Sequence, residues 1–340
     1  MSLLARILII FTTFSYSLAG GIAQADEWNV GFNTLQVSDP VLDYDIDVAV
    51  WYPTQERAKA ETVGPATLNV ARGARPIART HGLILISHGF SGSFLGHNDT
   101  AQFLARQGFV VATPTHPDIP GLKSGKPEFD PLAVRPRHLR LISNRLLNHT
   151  QFKAGFLQHR VGVIGYSLGG YTALAASGVQ PDPSGLAAYC SAEINDALLC
   201  SPEATRRFAT IADQLSQQKI DQIAAIVLLA PAYGPLFSEQ SLAKLDIPVR
   251  LFSAEKDQEL DNRYNAQHFE KFLGNTSASE VIKDAGHFVF IAPCPDALKH
   301  AVPVLCEDSK NVDRVSVHQK LNETIGHFFA RVFGQQKTDS

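Results

Sequence analysis

The apolar positions along the chain change period repeatedly, and those changes mark out its elements. Residues 45–52 (DIDVAVWY) alternate polar and apolar, as a half-buried strand near a sheet edge does. Residues 82–86 (GLILI) form a continuous apolar run instead, suited to a central strand covered on both faces. Between them, residues 53–81 are rich in Ala, Arg, Thr and Gly and read as a long exposed connection, the most flexible loop of the chain. A helix is expected over 98–107 (NDTAQFLARQ), a short strand over 109–113 (FVVAT), and a proline- and glycine-rich loop over 114–131. Leu139, Ile142, Leu146 and Leu147 recur at helical spacing and predict an amphipathic helix over 136–148. Strand RVGVI (160–164) then runs into GYSLGG (165–170), which a helix of small residues, YTALAASG (171–178), continues. Further strands are expected over 223–230, 247–254 and 280–284, with a helix over 262–272. In the final helix Val317, Leu321, Ile325, Phe328 and Val332 form one apolar stripe.

Strands separated by helices or long crossovers imply an α/β fold with a mostly parallel central sheet and helices on both faces. Residues 180–222 break the alternation. Connections in compact domains typically run ~4 to 6 residues, and this one also holds two cysteines and the helical stretch ATRRFATIADQLSQQ. It is expected to be a cap or lid inserted into a single domain spanning 26–340.

Composition narrows the function. The 340 residues, 45% hydrophobic and 19% charged, can bury a sizeable core, which excludes a disordered chain. A formal net charge of -3 and the lack of any long basic run leave no footprint for nucleic acid. The amino terminus carries Arg6, an apolar stretch from Ile7 to Leu18, and Ala23-Gln24-Ala25 as a small-x-small site, the pattern of a secretory signal peptide over residues 1–25. Its apolar core falls short of the ~20 residues of a membrane span. The mature protein is therefore expected to be periplasmic or extracellular, with no stable membrane span. Four cysteines suit an oxidising compartment and allow three pairings. The local pairs, Cys190 with Cys200 and Cys294 with Cys306, are expected because each flanks a short segment without strong periodicity. No C-x-x-C spacing or neighbouring histidines suggest zinc, and no metal site is expected. Nothing in the pattern separates an oligomeric interface from the core stripes.

The chemistry centres on G-x-S-x-G at Gly165-Tyr166-Ser167-Leu168-Gly169, placed where a strand gives way to a helix. Flanking glycines let the chain turn tightly against its neighbours, and the turn offers Ser167 as a nucleophile. A serine needs a base and an orienting acid, which in this context follow in the order Ser, Asp/Glu, His. Asp257 lies just after strand 247–254 and His287 just after strand 280–284, at the strand ends where sites in α/β sheets form. Glu255 and Asp261 are alternative acids, whereas His88, His97 and His116 precede Ser167 and fit the order poorly as the base. An oxyanion needs two donors: the backbone N–H of Leu168, and that of Phe90 in LISHGFSGS, with Ser91 and Ser93 next in line. Gly89 allows close backbone approach, and His88 and Tyr166 brace the pocket. Phe90, Leu95, Phe288 and Phe290 would give it an apolar lining.

Together ISHGFSGS, GYSLGG, the Asp257 loop and AGHFVFIAPC resemble the α/β-hydrolase superfamily from about Asp45 to the final helix. Within it the chain is similar to the exported dienelactone-hydrolase-like group and to platelet-activating-factor acetylhydrolases. The resemblance implies an α/β-hydrolase fold and a serine ester hydrolase without metal or organic cofactor, acting on small-molecule or lipid-like esters of short to medium acyl chain. Acyl transfer, peptide hydrolysis, or binding on a non-catalytic hydrolase fold are the alternatives. Two departures matter. Dienelactone hydrolases use a cysteine nucleophile where this chain has Ser167, and the strand leading into LLAPAYG is followed by no acid, which favours Asp257. The Cys294–Cys306 disulfide, close behind His287, is expected to hold the pocket rim.

Overall fold

A computed structural model describes residues 28–117, 130–149, 160–192, 196–202, 217–274 and 277–334, with a few isolated positions between them. The expected signal peptide, residues 118–129 of the proline-rich loop and most of ATRRFATIADQLSQQ lie outside the described residues. Ten strands among those described form one sheet: β1 (Asn29–Asp39), β2 (Tyr44–Thr54), β3 (Lys59–Val63), β4 (Ala66–Arg72), β5 (Leu83–Ser87), β6 (Val110–Pro114), β7 (Val161–Tyr166), β8 (Ile223–Leu229), β9 (Val249–Ala254) and β10 (Ser277–Ile282). Their order is β10-β9-β8-β7-β5-β6-β2-β1-β4-β3. Every neighbouring pair from β10 to β6 is parallel, and β2 runs antiparallel to both β6 and β1.

The main helices are α1 (Asn98–Arg106), α2 (Pro131–Leu147), α3 (Leu168–Ala176), α4 (Leu186–Ser191), α5 (Ala266–Phe272) and α6 (Arg314–Gly334). Strand side chains alternate between faces, and β5 shows how both faces are filled. Leu83 and Leu85 join a cluster with Leu139 and Ile142 of α2, Leu174 of α3 and Phe269 of α5, while Ile84 and Ile86 join Leu104 of α1 and Ile325 and Phe329 of α6. That double burial is why GLILI carries no polar residue. Parallel strands pointing one way bring their following loops to a common edge, so the segments after β5, β7, β9 and β10 emerge together.

Several elements differ from the sequence reading. Residues 53–81 are not one flexible connection: β3 and β4 pair as an antiparallel hairpin turning at Gly64 (φ 56°), with Leu68 and Val70 buried. Its inward positions Ala66, Leu68 and Val70 alternate with outward Thr67 and Asn69, but over too short a run to stand out from the Ala-, Arg-, Thr- and Gly-rich stretch around it. Strand β2 is not near the edge but lies between β1 and β6, and it is buried continuously from Val48 to Thr54 because its polar alternation is confined to its first residues. β1, absent from the sequence reading, pairs with β2 along its whole length. Helix α2 starts five residues early. Pro131 opens it, Asp130 accepts the Leu132 N–H at 2.9 Å as the cap, and Pro136 sits inside. In α6 the buried register runs Leu321, Ile325, Phe329 and Phe333, with Val317, Phe328 and Val332 flanking it.

Both local disulfides form, Cys190–Cys200 and Cys294–Cys306. In the inserted region, Leu186, Leu199, Phe208, Ile211 and Leu215 are buried in the α2/α3 cluster. No helix among the described residues is long and apolar enough to cross a membrane.

Candidate active site

Strand β7 delivers Ser167 into a strained turn with φ 52° and ψ -117°, a region that costs a non-glycine residue of order 1–3 kcal/mol. The surroundings hold it there. Ser167 N–H donates to the Leu229 carbonyl at 2.9 Å, and its own carbonyl accepts from Gly170 at 2.8 Å and Ala232 at 3.0 Å. A side chain on Gly165 would overlap the Gly169 carbonyl, and one on Gly169 would overlap the Ser87 carbonyl. The glycines around the serine thus answer to backbone crowding. Leu168 begins α3, so its N–H has no preceding helical turn to donate to.

His287 and Asp257 meet beside this turn. His287 Nδ1 lies 2.7 Å from Asp257 Oδ2, and the side chains are only 4% and 1% exposed. Asp257 Oδ1 accepts the N–H groups of Glu259 at 3.0 Å and Leu260 at 2.8 Å, which fixes the carboxylate. The His287 N–H donates to Gln258 Oε1 at 3.1 Å, and the Tyr166 hydroxyl donates to the His287 carbonyl at 3.2 Å. Tyr166 is the residue before Ser167, and its ring centroid lies 5.1 Å from that of His287. It links the serine turn to the histidine turn. The alternative acids lie elsewhere: Glu255 accepts the Asp284 N–H, and Asp261 pairs with Arg263.

The loop after β5 faces the same turn, since a Cβ on Gly89 would lie 3.4 Å from Ser167 Cβ and against the Tyr166 ring. Phe90 is 64% exposed and Phe288 half-buried, whereas Phe290 is fully buried and Leu95 packs against the core. Phe290 therefore has no surface with which to line a pocket, while Phe90, Phe288 and part of Leu95 remain accessible. His88 is buried and braces the loop: its Nε2 accepts the His116 backbone N–H at 2.9 Å, so Nδ1 carries the proton and donates to the Gly89 carbonyl at 2.6 Å. His97 is also buried, its ring edge-on to Tyr166 at 5.4 Å. Among the described residues no cluster of three or more His, Cys, Asp or Glu is arranged to hold a metal.

Behind the loop lies a ladder that the sequence reading missed. His116 Nε2 is 3.1 Å from Ser87 Oγ, His116 Nδ1 is 3.3 Å from His138 Nδ1, and His138 Nε2 lies 3.8 Å from Asp39 Oδ2. Fully buried Arg135 donates to the carbonyls of His88 and Gly89. One signal was available. Arg135 stands in register with Leu132, Leu139, Ile142 and Leu146, a cation on the apolar stripe of α2.

Burial holds these histidines neutral, with the Arg135 charge acting in the same direction. His88 and His116 are pushed well below the ordinary value, and His138 to about 3. In the unfolded chain each takes up a proton near pH 6.5, so stability is complete above that pH and is lost as the pH falls toward the folded values. Through His138 alone the loss at pH 5 is about 2 kcal/mol. His318 acts oppositely. Its Nδ1 meets Asp99 at 2.6 Å and its Nε2 the Val289 carbonyl at 2.8 Å; although burial opposes the charge, these partners raise it, so its contribution fades as pH rises above the ordinary histidine range. We expect the urea midpoint to be highest near neutrality and to drop between pH 6.5 and 5. A midpoint constant or rising over that interval would contradict the buried neutral ladder.

A parallel sheet whose carboxyl edge gathers a strained serine turn, a buried carboxylate–imidazole pair and a glycine-bearing loop defines a hydrolase of the α/β class. The chain belongs to the alpha/beta hydrolase family, whose profile matches residues 83–300. No curated protein sequence matches it. Among solved structures, a ferulic acid esterase from Streptomyces cinnamoneus is similar over 93% of each chain, with a TM-score of 0.61 at 17% identity, a likeness of fold. A CIB-like hydrolase from Thermoplasma acidophilum is 14% identical over 82% of this chain and 99% of its own, with a TM-score of 0.44.

Proposed function

We propose that the protein is an exported serine carboxylic-ester hydrolase that works through an acyl-enzyme on esters of short to medium acyl chain. One observation carries this reading: the buried His287–Asp257 pair at 2.7 Å, joined through Tyr166 to the Ser167 turn. Ser167 Oγ attacks the ester carbonyl carbon as His287 Nε2 takes its proton, and Asp257 holds the Nδ1–H of the resulting imidazolium. The N–H groups of Leu168 and Phe90 receive the oxyanion. Collapse expels the alcohol, which takes the proton from His287. Water then attacks the acyl group by the reverse proton path, releasing the acid and free Ser167.

Exposed Phe90 and half-buried Phe288 favour an apolar acyl group over a charged one. The segment 180–222 acts as the cap of the domain, tied to the loop after Asp257 by the edge-on contact of Tyr189 with Tyr264 at 5.0 Å. The signal-peptide pattern and two disulfides support export, and the dienelactone-hydrolase-like and acetylhydrolase-like resemblance of the motifs supports an ester substrate. A panel of nitrophenyl esters from acetate to palmitate, run beside a matched anilide and an added alcohol acceptor, tests the reading. Turnover should be highest on the shorter esters and much slower on the anilide, with water as the main acceptor. Rapid anilide cleavage with negligible ester turnover would make the protein a peptidase, and preferential transfer to the alcohol an acyltransferase.

A further inference from the structure

We infer that Arg135 is a positioning residue of the oxyanion site, acting through the His88–Gly89–Phe90 backbone rather than on substrate. The inference rests on the serine-hydrolase reading above. Arg135 has no exposed surface, and burying a guanidinium costs several kcal/mol unless its donors are well used. Two of its nitrogens are spent on backbone. Nη1 donates to the His88 carbonyl at 2.7 Å and Nη2 to the Gly89 carbonyl at 2.9 Å.

The Gly89 oxygen also receives the His88 Nδ1–H at 2.6 Å and the Gly92 N–H at 3.3 Å, so three donors converge on it. Two consequences follow for the peptide between Gly89 and Phe90. The bond is trans, so its N–H points opposite to its C=O. With the carbonyl anchored on the buried guanidinium, the Phe90 N–H is held pointing away from Arg135, in a loop whose Gly89 abuts Ser167 and Tyr166. Charge drawn onto the oxygen also polarises the amide, and hydrogen-bonded chains strengthen their members in this way. The Phe90 N–H becomes a better donor to a developing anion. Burial and the Arg135 charge, with Nη2 3.1 Å from Nδ1, also oppose a second proton on His88, so the ring stays neutral and Nε2 stays free to accept the His116 N–H.

The role predicts a loss confined to the transition state. Arg135→Met and Arg135→Lys are compared with the wild type on a short nitrophenyl ester, each normalised to active sites titrated by a fluorophosphonate. Removing an oxyanion donor outright costs ~100- to 1,000-fold in kcat, and misplacing one should cost less, roughly 10- to 100-fold for Met, with KM nearly unchanged. Lys keeps the charge but cannot hold both carbonyls, so its loss should be smaller. A boronic-acid transition-state analogue should weaken in the same order, while a substrate-shaped ether, which has no carbonyl oxygen to place in the anion site, should not. Wild-type kcat in Arg135→Met, a change in KM alone, or failure of both variants to fold would overturn the inference and assign Arg135 to the core. Failure of the parent reading looks different: the wild-type enzyme itself would then carry no fluorophosphonate on Ser167.

Discussion

Ser167→Ala is expected to abolish ester turnover, lowering kcat by roughly a million-fold, the scale set by removing a triad serine in other hydrolases. The turn that presents residue 167 is fixed by its backbone, through Leu229, Gly170 and Ala232, and not by the hydroxyl. The variant should therefore fold normally, with its circular dichroism and melting temperature close to the wild type. Any residual rate would reflect the oxyanion donors and substrate binding alone. Turnover within tenfold of the wild type in a folded variant would remove the nucleophile from the account.

Asp257→Asn should be the next most damaging change, because the surroundings dictate how the amide sits. Oδ1 accepts two backbone N–H groups, from Glu259 and Leu260, and only an oxygen can stay there. The amide nitrogen must then face His287 Nδ1, where it donates. Nδ1 becomes an acceptor and the ring proton moves to Nε2, the atom that has to take the Ser167 proton. We expect kcat to fall by about 10,000-fold with little change in KM or stability. A loss below tenfold would mean that the imidazole is oriented by something other than Asp257. The neighbouring bonds to Gln258 and Tyr166 hold the His287 backbone and cannot set its tautomer.

The contrast between these residues and Arg135 shows what was legible in the sequence. Ser167 and Asp257 each follow a buried strand closely, so the apolar runs that located β7 and β9 also located them, whereas β10 is an edge strand without a buried position and His287 was found by its order in the chain. The steric role of Gly165 and Gly169 was readable for the same reason: a tight strand-to-helix turn crowds backbone on both sides. The pairing of Cys190 with Cys200 and Cys294 with Cys306 was accessible because both bridges are local.

Long-range relationships were not. β1 owes its place to pairing with β2, and β4 alternates cleanly but only over five residues beside a half-exposed β3, so neither stood out from the polar stretch around it. Arg135 acts on carbonyls more than forty positions away, and its presence on the apolar stripe of α2 is informative only once the partner loop is known. The histidine ladder is similar. His88, His116 and His138 come from three separate segments, and only the packing of α2 beneath the β5 loop stacks them.

If the His287–Asp257 pair makes Ser167 a nucleophile, the serine should be open to covalent capture. Folded wild-type protein is treated with a fluorophosphonate, its intact mass is measured, and the modified peptide is sequenced, with Asp257→Asn treated in parallel. One phosphonyl group per chain is expected, located on Ser167, formed quickly in the wild type and far more slowly in the variant. No adduct on folded protein, an adduct on another residue, or equal labelling rates in both proteins would contradict that role of the pair.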